Sequence, residues 1–170
     1  MTFSRIAKAG AALACAGFAL GASAAGTLSV DASTLLKAPP AAVWHTVGNF
    51  GDLNWHPVIA STEIIKGKAG HAGATRKLTT QDGAVIVEEE LSQDNAHRKY
   101  AYRIVESPLP VTDYVSELEV TPEGKGSRVS WRSHFKAKEG VSDADAHDAI
   151  AGIYSAGFEA LQKQFAPAGH

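Results

Sequence analysis

Cysteine is nearly missing from this 170-residue chain, and the only one is Cys15. It lies in "MTFSRIAKAGAALACAGFALGASAAG", where Arg5 and Lys8 precede a small apolar run and Ala22-Ser23-Ala24 offers a small-x-small cleavage pattern. That is the anatomy of a secretory signal peptide, expected to span residues 1–24 and to be cut near Ala24. Ala12-Leu13-Ala14 lacks the large aliphatic side chain that a lipoprotein acceptor carries three positions before its cysteine. Cys15 therefore reads as an ordinary member of the apolar run. The mature chain then has no cysteine, which excludes a disulfide framework, a thiol nucleophile and a zinc–thiolate site.

Long apolar runs are missing too: no segment approaches the ~18 residues of a spanning helix. An exported chain without a membrane span is expected, periplasmic or secreted. Excess positive charge is also absent. The formal charge is −2, and losing Arg5 and Lys8 makes it −4, a poor basis for binding nucleic acid or an anionic membrane. Nothing matches "H-E-x-x-H", "G-x-S-x-G" or a phosphate loop. "GKAGHAG" (67–73) is a glycine-rich hairpin turn. His45, His71, His97, His134 and His147 lack metal-ligand spacing, so neither a metal nor a cofactor is expected.

What is present is a run of alternating segments. Thr27–Leu36 reads as a first strand. "APPAAVWHTVGNF" opens on Pro39 and Pro40 and then spaces Val43, Val47 and Phe50 as a short helix does. Gly48 and Gly51 loosen its end, a second helical turn is expected to reach Trp55, and Pro57 pushes His56 toward extended angles. Six strands follow: Val58–Lys66, Ala74–Thr80, Ala84–Ser92, Arg98–Glu106, Thr112–Thr121 and Ser127–Ala137. The short turn-forming connections between them imply an antiparallel meander. At the end, Ser142 with Asp145 resembles a capping box. Ile150, Ile153, Tyr154, Gly157, Phe158 and Leu161 then form one helical stripe that Pro167 stops. The class is α+β: about seven strands curved around one long C-terminal helix, with two short helices after the first strand.

Period-two sorting assigns the inner face. It gathers Tyr100, Tyr102 and Ile104; Tyr114, Ser116, Leu118 and Val120; and Val129, Trp131, Phe135 and Ala137. On "AVIVEEEL" it takes Val85, Val87, Glu89 and Leu91, leaving Glu88 and Glu90 outside. On "ATRKLTT" it takes Arg76 with Leu78 and Thr80. Glu89 and Arg76 are thus expected to pair across neighbouring strands, either within a cavity or as a rim ion pair. So many aromatic and polar side chains on one concave face describe a mixed cavity rather than an aliphatic core. Its expected lining is Trp55, His56, Arg76, Glu89, Tyr100, Tyr102, Tyr114, Ser116 and Trp131 from the sheet side, and Ile153, Tyr154 and Gly157 from the helix.

The order of elements, the "F-x-x-L-x-W-H-P" junction, the "E-E-L-S-Q-D" run and "Y-A-Y-R-I-V-E-S-P-L-P-V-T-D-Y" resemble the START-like helix-grip superfamily. The resemblance runs from about Thr27 to Phe165, and within that group it is nearest to the exported polyketide cyclase/dehydrase-type bacterial branch, which includes the methanol-oxidation accessory protein MxaD. It implies a cavity between sheet and helix under two entrance loops, Thr80–Ala84 and Glu106–Pro110. It also implies that His56 occupies the place of a ligand-anchoring lysine in the plant hormone receptors, with Glu89, Tyr114 and Ser116 at their polar cavity positions. His56 reads equally as a structural histidine with both nitrogens satisfied. The receptors' gate and latch sequences are absent.

Three functions fit. The first, which we favour, is a carrier or sensor of a small apolar or amphipathic molecule. The second is a cyclase, dehydratase or isomerase moving protons through His56 and Glu89. The third is an MxaD-like accessory factor whose partner is a periplasmic dehydrogenase.

Overall fold

The computed structural model describes residues 27–167. The leader expected at 1–24 lies outside the described residues. In chain order the elements are β1 (Leu28–Leu36), α1 (Pro40–Val47), β2 (Ile59–Lys66), β3 (Thr75–Thr80), β4 (Val85–Asp94), β5 (Lys99–Glu106), β6 (Val111–Glu123), β7 (Gly126–Ala137) and α2 (Asp143–Gln164). The seven strands form one antiparallel sheet in the order β1-β7-β6-β5-β4-β3-β2. It is a meander from β2 to β7, closed on one side by the pairing of the first strand with the last. The helix α2 rests on β1 and β7, and the core lies between helix and sheet.

Local chemistry explains the boundaries. Pro40 opens α1, where a missing N–H costs nothing. Ser142 caps α2: its Oγ accepts from the Asp145 N–H at 3.1 Å and donates to the Asp145 carboxylate at 2.7 Å. Asp143 and Asp145 add negative charge to that first turn. In β6, Asp113 adopts a left-handed φ of 52° where the register to β7 shifts between Thr112 and Val115. That bulge bends the strand and turns Tyr114 inward, continuing the buried face through Ser116, Leu118 and Val120.

One expected element is missing. No second short helix lies between α1 and β2. Asn49 Oδ1 accepts from the Gly51 N–H at 2.9 Å and Asp52 Oδ1 from the Asn54 N–H at 3.0 Å. These side chains take the donors a helical turn would need, so residues 48–58 run as successive turns. The last of them, Ile59 N–H to His56 C=O at 3.0 Å, delays β2 to Ile59.

Candidate functional site

The β3–β4 hairpin turns on Asp82 and Gly83, whose φ is +86°. The turn sets the register: Leu78 faces Ile86, and Arg76 faces Glu88. Cross-strand partners share a face, so the buried side of β4 is Ile86, Glu88 and Glu90. The expected inward Glu89 is corrected: it points out and pairs with the half-exposed Arg103 at 2.9 Å. Arg76 donates from Nε to Glu88 Oε2 at 2.7 Å and from Nη1 to the Phe50 carbonyl at 2.9 Å. Its guanidinium lies 4.2 Å from the Phe50 ring centre and 5.2 Å from that of Tyr102. Both partners are buried, Arg76 to 1% exposure and Glu88 to 6%. Burial pushes the Glu88 carboxyl up and the Arg76 charge pulls it back. Burial opposes the guanidinium charge, and Glu88 more than restores it. Glu90, also buried, accepts from the Gly70 N–H at 2.8 Å. Burial raises its pKa against that hydrogen bond.

Beyond Arg76 the concave face carries a chain of hydroxyls. Trp131 Nε1 donates to the Tyr102 hydroxyl at 3.0 Å. The Tyr102 oxygen stands 3.4 Å from that of Tyr114, and the Tyr114 and Tyr154 oxygens are 2.6 Å apart. Tyr154 meets Ser116 Oγ at 3.0 Å, and Ser116 donates to the Arg132 carbonyl at 2.7 Å. Trp131 and Tyr154 stack face to face, with centroids 4.3 Å apart at 11°. Burial holds the Tyr102 and Tyr114 phenols well above their ordinary range and pushes Tyr154 up to about 12, so all three stay protonated at neutral pH.

His56 is 1% exposed and lies edge-on to Trp131 at 5.9 Å. Nε2 is 2.9 Å from the Ile153 carbonyl and must carry the proton, while Nδ1 accepts from the Val58 N–H at 3.4 Å. The ring is therefore a neutral, fixed tautomer. Burial depresses its pKa, the Ile153 contact opposes this, and the Arg76 charge adds to the depression. Trp55 is half-buried beside it, with ring centroids 5.6 Å from His56 and 5.9 Å from Trp131.

Between these groups and α2 lies a cavity with ≈ 50 Å³ open to the centres of water molecules. Of the twelve expected lining residues it takes His56, Tyr102, Tyr114, Trp131, Ile153 and Tyr154. Arg76, Tyr100, Ser116, Trp55 and Gly157 stand behind this lining rather than in it, and Glu89 is on the other face. The residues that sequence reasoning missed are chiefly Glu88, Ile86 and Leu109, while Leu78 and Ile150, expected on the inward faces, join the lining as well. The Asp82 turn was the signal for Glu88, because a hairpin centred there pairs Arg76 with it. Of the two expected entrance loops, Glu106–Pro110 supplies Leu109. Thr80–Ala84 instead closes on itself through the Thr80 N–H and the Ala84 carbonyl at 2.9 Å. Among the described residues no group of three or more His, Cys, Asp or Glu is arranged to hold a metal, and no helix is long and apolar enough to cross a membrane.

Known proteins share this architecture. The sequence model of a family described as polyketide cyclase/dehydrase and lipid transport matches residues 27–166. The structure of the protein XoxI from Bacillus cereus is similar, with 34% identity, a TM-score of 0.76, and 84% of this chain and 98% of that chain covered. An uncharacterized protein from Bacillus thuringiensis has 33% identity and a TM-score of 0.74, over 81% of this chain and 98% of that one. Ara h 8.0201, at 19% identity and a TM-score of 0.68, covers 82% of this chain and 98% of its own, and shares the fold.

Proposed function

The chain belongs to the polyketide cyclase/dehydrase and lipid-transport family of the START-like helix-grip superfamily, and from that membership we propose an exported carrier or sensor of a small, mostly apolar molecule. The observation that carries the reading is the state of the cavity's polar groups. His56 has both nitrogens engaged, Glu88 is held by Arg76, and the three phenols stay protonated. None is a free base beside a substrate, which supports binding over proton-transfer catalysis. About 50 Å³ is room for only three or four waters. A ligand of useful size enters by displacing the half-buried mouth residues Ile104, Leu109 and Ile153.

A second reading, an MxaD-like accessory factor of a periplasmic dehydrogenase, has one surface feature in its favour. Val58, Val85 and Val105 are 37, 44 and 56% exposed on segments that also supply the cavity lining. The test is native mass spectrometry of the mature protein purified from its own periplasm, with release of any bound molecule. A co-purifying apolar compound that is lost in Tyr114→Ala establishes the carrier. An empty cavity with a dehydrogenase co-purifying moves the assignment to the accessory role. Absence of the protein from the periplasmic fraction overturns export.

A further inference from the structure

The protons of the cavity's hydrogen-bond network can be placed one by one. Ser116 has a single proton, and it goes to the Arg132 carbonyl at 2.7 Å. Ser116 Oγ therefore accepts from Tyr154 at 3.0 Å. With its own proton committed, Tyr154 accepts from Tyr114 at 2.6 Å. Tyr114 in turn accepts from Tyr102, and Tyr102 from the Trp131 N–H at 3.0 Å. The whole chain runs one way, from the Trp131 N–H to the Arg132 carbonyl, and so begins and ends on β7.

Donors are therefore scarce where a ligand would lie. His56 Nε2–H is used on Ile153 and the Trp131 N–H on Tyr102. The phenol oxygens of Tyr102, Tyr114 and Tyr154 each keep a spare lone pair, and Glu88, the one charged side chain in the lining, is an acceptor. Within the lining the least committed proton is that of Tyr102, whose contact to Tyr114 is 3.4 Å; the unpartnered donors of Trp55, Tyr100 and Ser133 belong to residues outside the lining. Arg76 has Nε on Glu88 and Nη1 on Phe50, and its Nη2 is buried without a partner; the guanidinium stands behind the lining, so a ligand in the cavity does not meet it.

We propose that the cavity selects neutral apolar molecules bearing a hydroxyl group and rejects the carboxylate of the same skeleton. A hydroxyl donates to one of the spare acceptors and can accept the Tyr102 proton. A carboxylate needs two or three donors, brings charge beside Glu88, and finds one weak donor at most in the lining. This inference rests on the carrier reading and gives it a ligand class.

The test is titration calorimetry near neutral pH with three probes of one skeleton: 4-propylphenol, 4-propylanisole and 4-propylbenzoate. The phenol is expected to bind about tenfold more tightly than its methyl ether and about a hundredfold more tightly than the benzoate. Equal binding of phenol and ether overturns the selectivity and leaves the carrier intact, as does tightest binding of the benzoate. Failure of all three to bind overturns both. A Ser116→Ala, Ser133→Ala double variant, checked by circular dichroism to be folded, adds an independent arm, because Ser133 is the other hydroxyl beside Tyr154. Without its terminal acceptor the relay frees one proton into the cavity, so the phenol-to-ether ratio should fall toward one. An unchanged ratio overturns the directional relay on which the proposal is built.

Discussion

Gly157 leaves the space that the His56 ring fills: a Cβ at this position would lie 2.8 Å from His56 Cδ2, 3.0 Å from Nε2 and 3.2 Å from Trp131 Cζ3. All three atoms belong to rings fixed by packing and hydrogen bonds, so the added methyl forces the histidine off the Ile153 carbonyl. Overpacking of this kind costs about 1–3 kcal/mol, against a gain of up to about 1 kcal/mol from replacing glycine in a helix. Gly152, on the same helix, has nothing within 4 Å of its added Cβ. Urea melts should show Gly157→Ala destabilised and Gly152→Ala stabilised by about 0.5–1 kcal/mol. Equal responses would mean that His56 is not seated against Gly157.

Arg76 and Glu88 should behave as a unit. Arg76→Met leaves a buried carboxylate without its cation and is expected to cost about 3–5 kcal/mol, while Arg76→Met with Glu88→Leu costs clearly less than the sum of the two singles. Additive losses in a double-mutant cycle would place the two charges in water.

Acid should weaken the fold through His56. Its native pKa lies below 6.5 because burial penalises the imidazolium, so the unfolded chain takes up the proton first. Stability from this group is full above about 6.5 and declines as pH falls toward the native value. Glu88 and Glu90 have native pKa values raised above 4.5 and act with the opposite sign, gaining stability as pH falls through those values. The difference between wild type and His56→Gln removes their contribution. Melting temperatures taken from about pH 7.5 down to about 5.5 should show the wild type's advantage shrinking. A constant difference sinks the neutral-histidine assignment.

The direction of the hydroxyl relay predicts unequal costs for two similar changes. Tyr154→Phe removes the 2.6 Å acceptor of Tyr114 and the donor to Ser116, and should cost about 1–3 kcal/mol. Tyr114→Phe removes only the donor to Tyr154 and a 3.4 Å acceptor, and should cost less than about 1 kcal/mol. Denaturant midpoints that reversed this order would falsify the placement of the protons.

Most of the fold was legible because each strand sits between strong turn signals and the buried faces of β5 and β6 alternate cleanly. Tyr100, Tyr102, Tyr114, Ser116 and Trp131 all face inward as period two requires. The failure on β4 has a specific cause. "AVIVEEEL" has apolar residues on both parities, and counting Val85, Val87 and Leu91 against Ile86 selected the wrong face. Register outweighs composition there, because the Asp82 turn couples Glu88 to Arg76. The depth of the cavity was not legible at all. Whether a side chain lines a space or stands behind one depends on distances between layers, and those separate Tyr102 from Tyr100 although both share one strand face.

The pairing of β1 with β7 sets Leu28 opposite Phe135 and Leu36 opposite Ser127. One border of the sheet therefore waits for nearly the whole chain, as does the helix that roofs the cavity. Closing so long a loop must precede any reward from the contacts it brings, which places this protein among slow folders for its length. Until the two strands meet, the unpaired backbones of β1 and of the half-made sheet are open to any passing strand. The hazardous interval for aggregation thus falls during synthesis and refolding, before the native molecule exists.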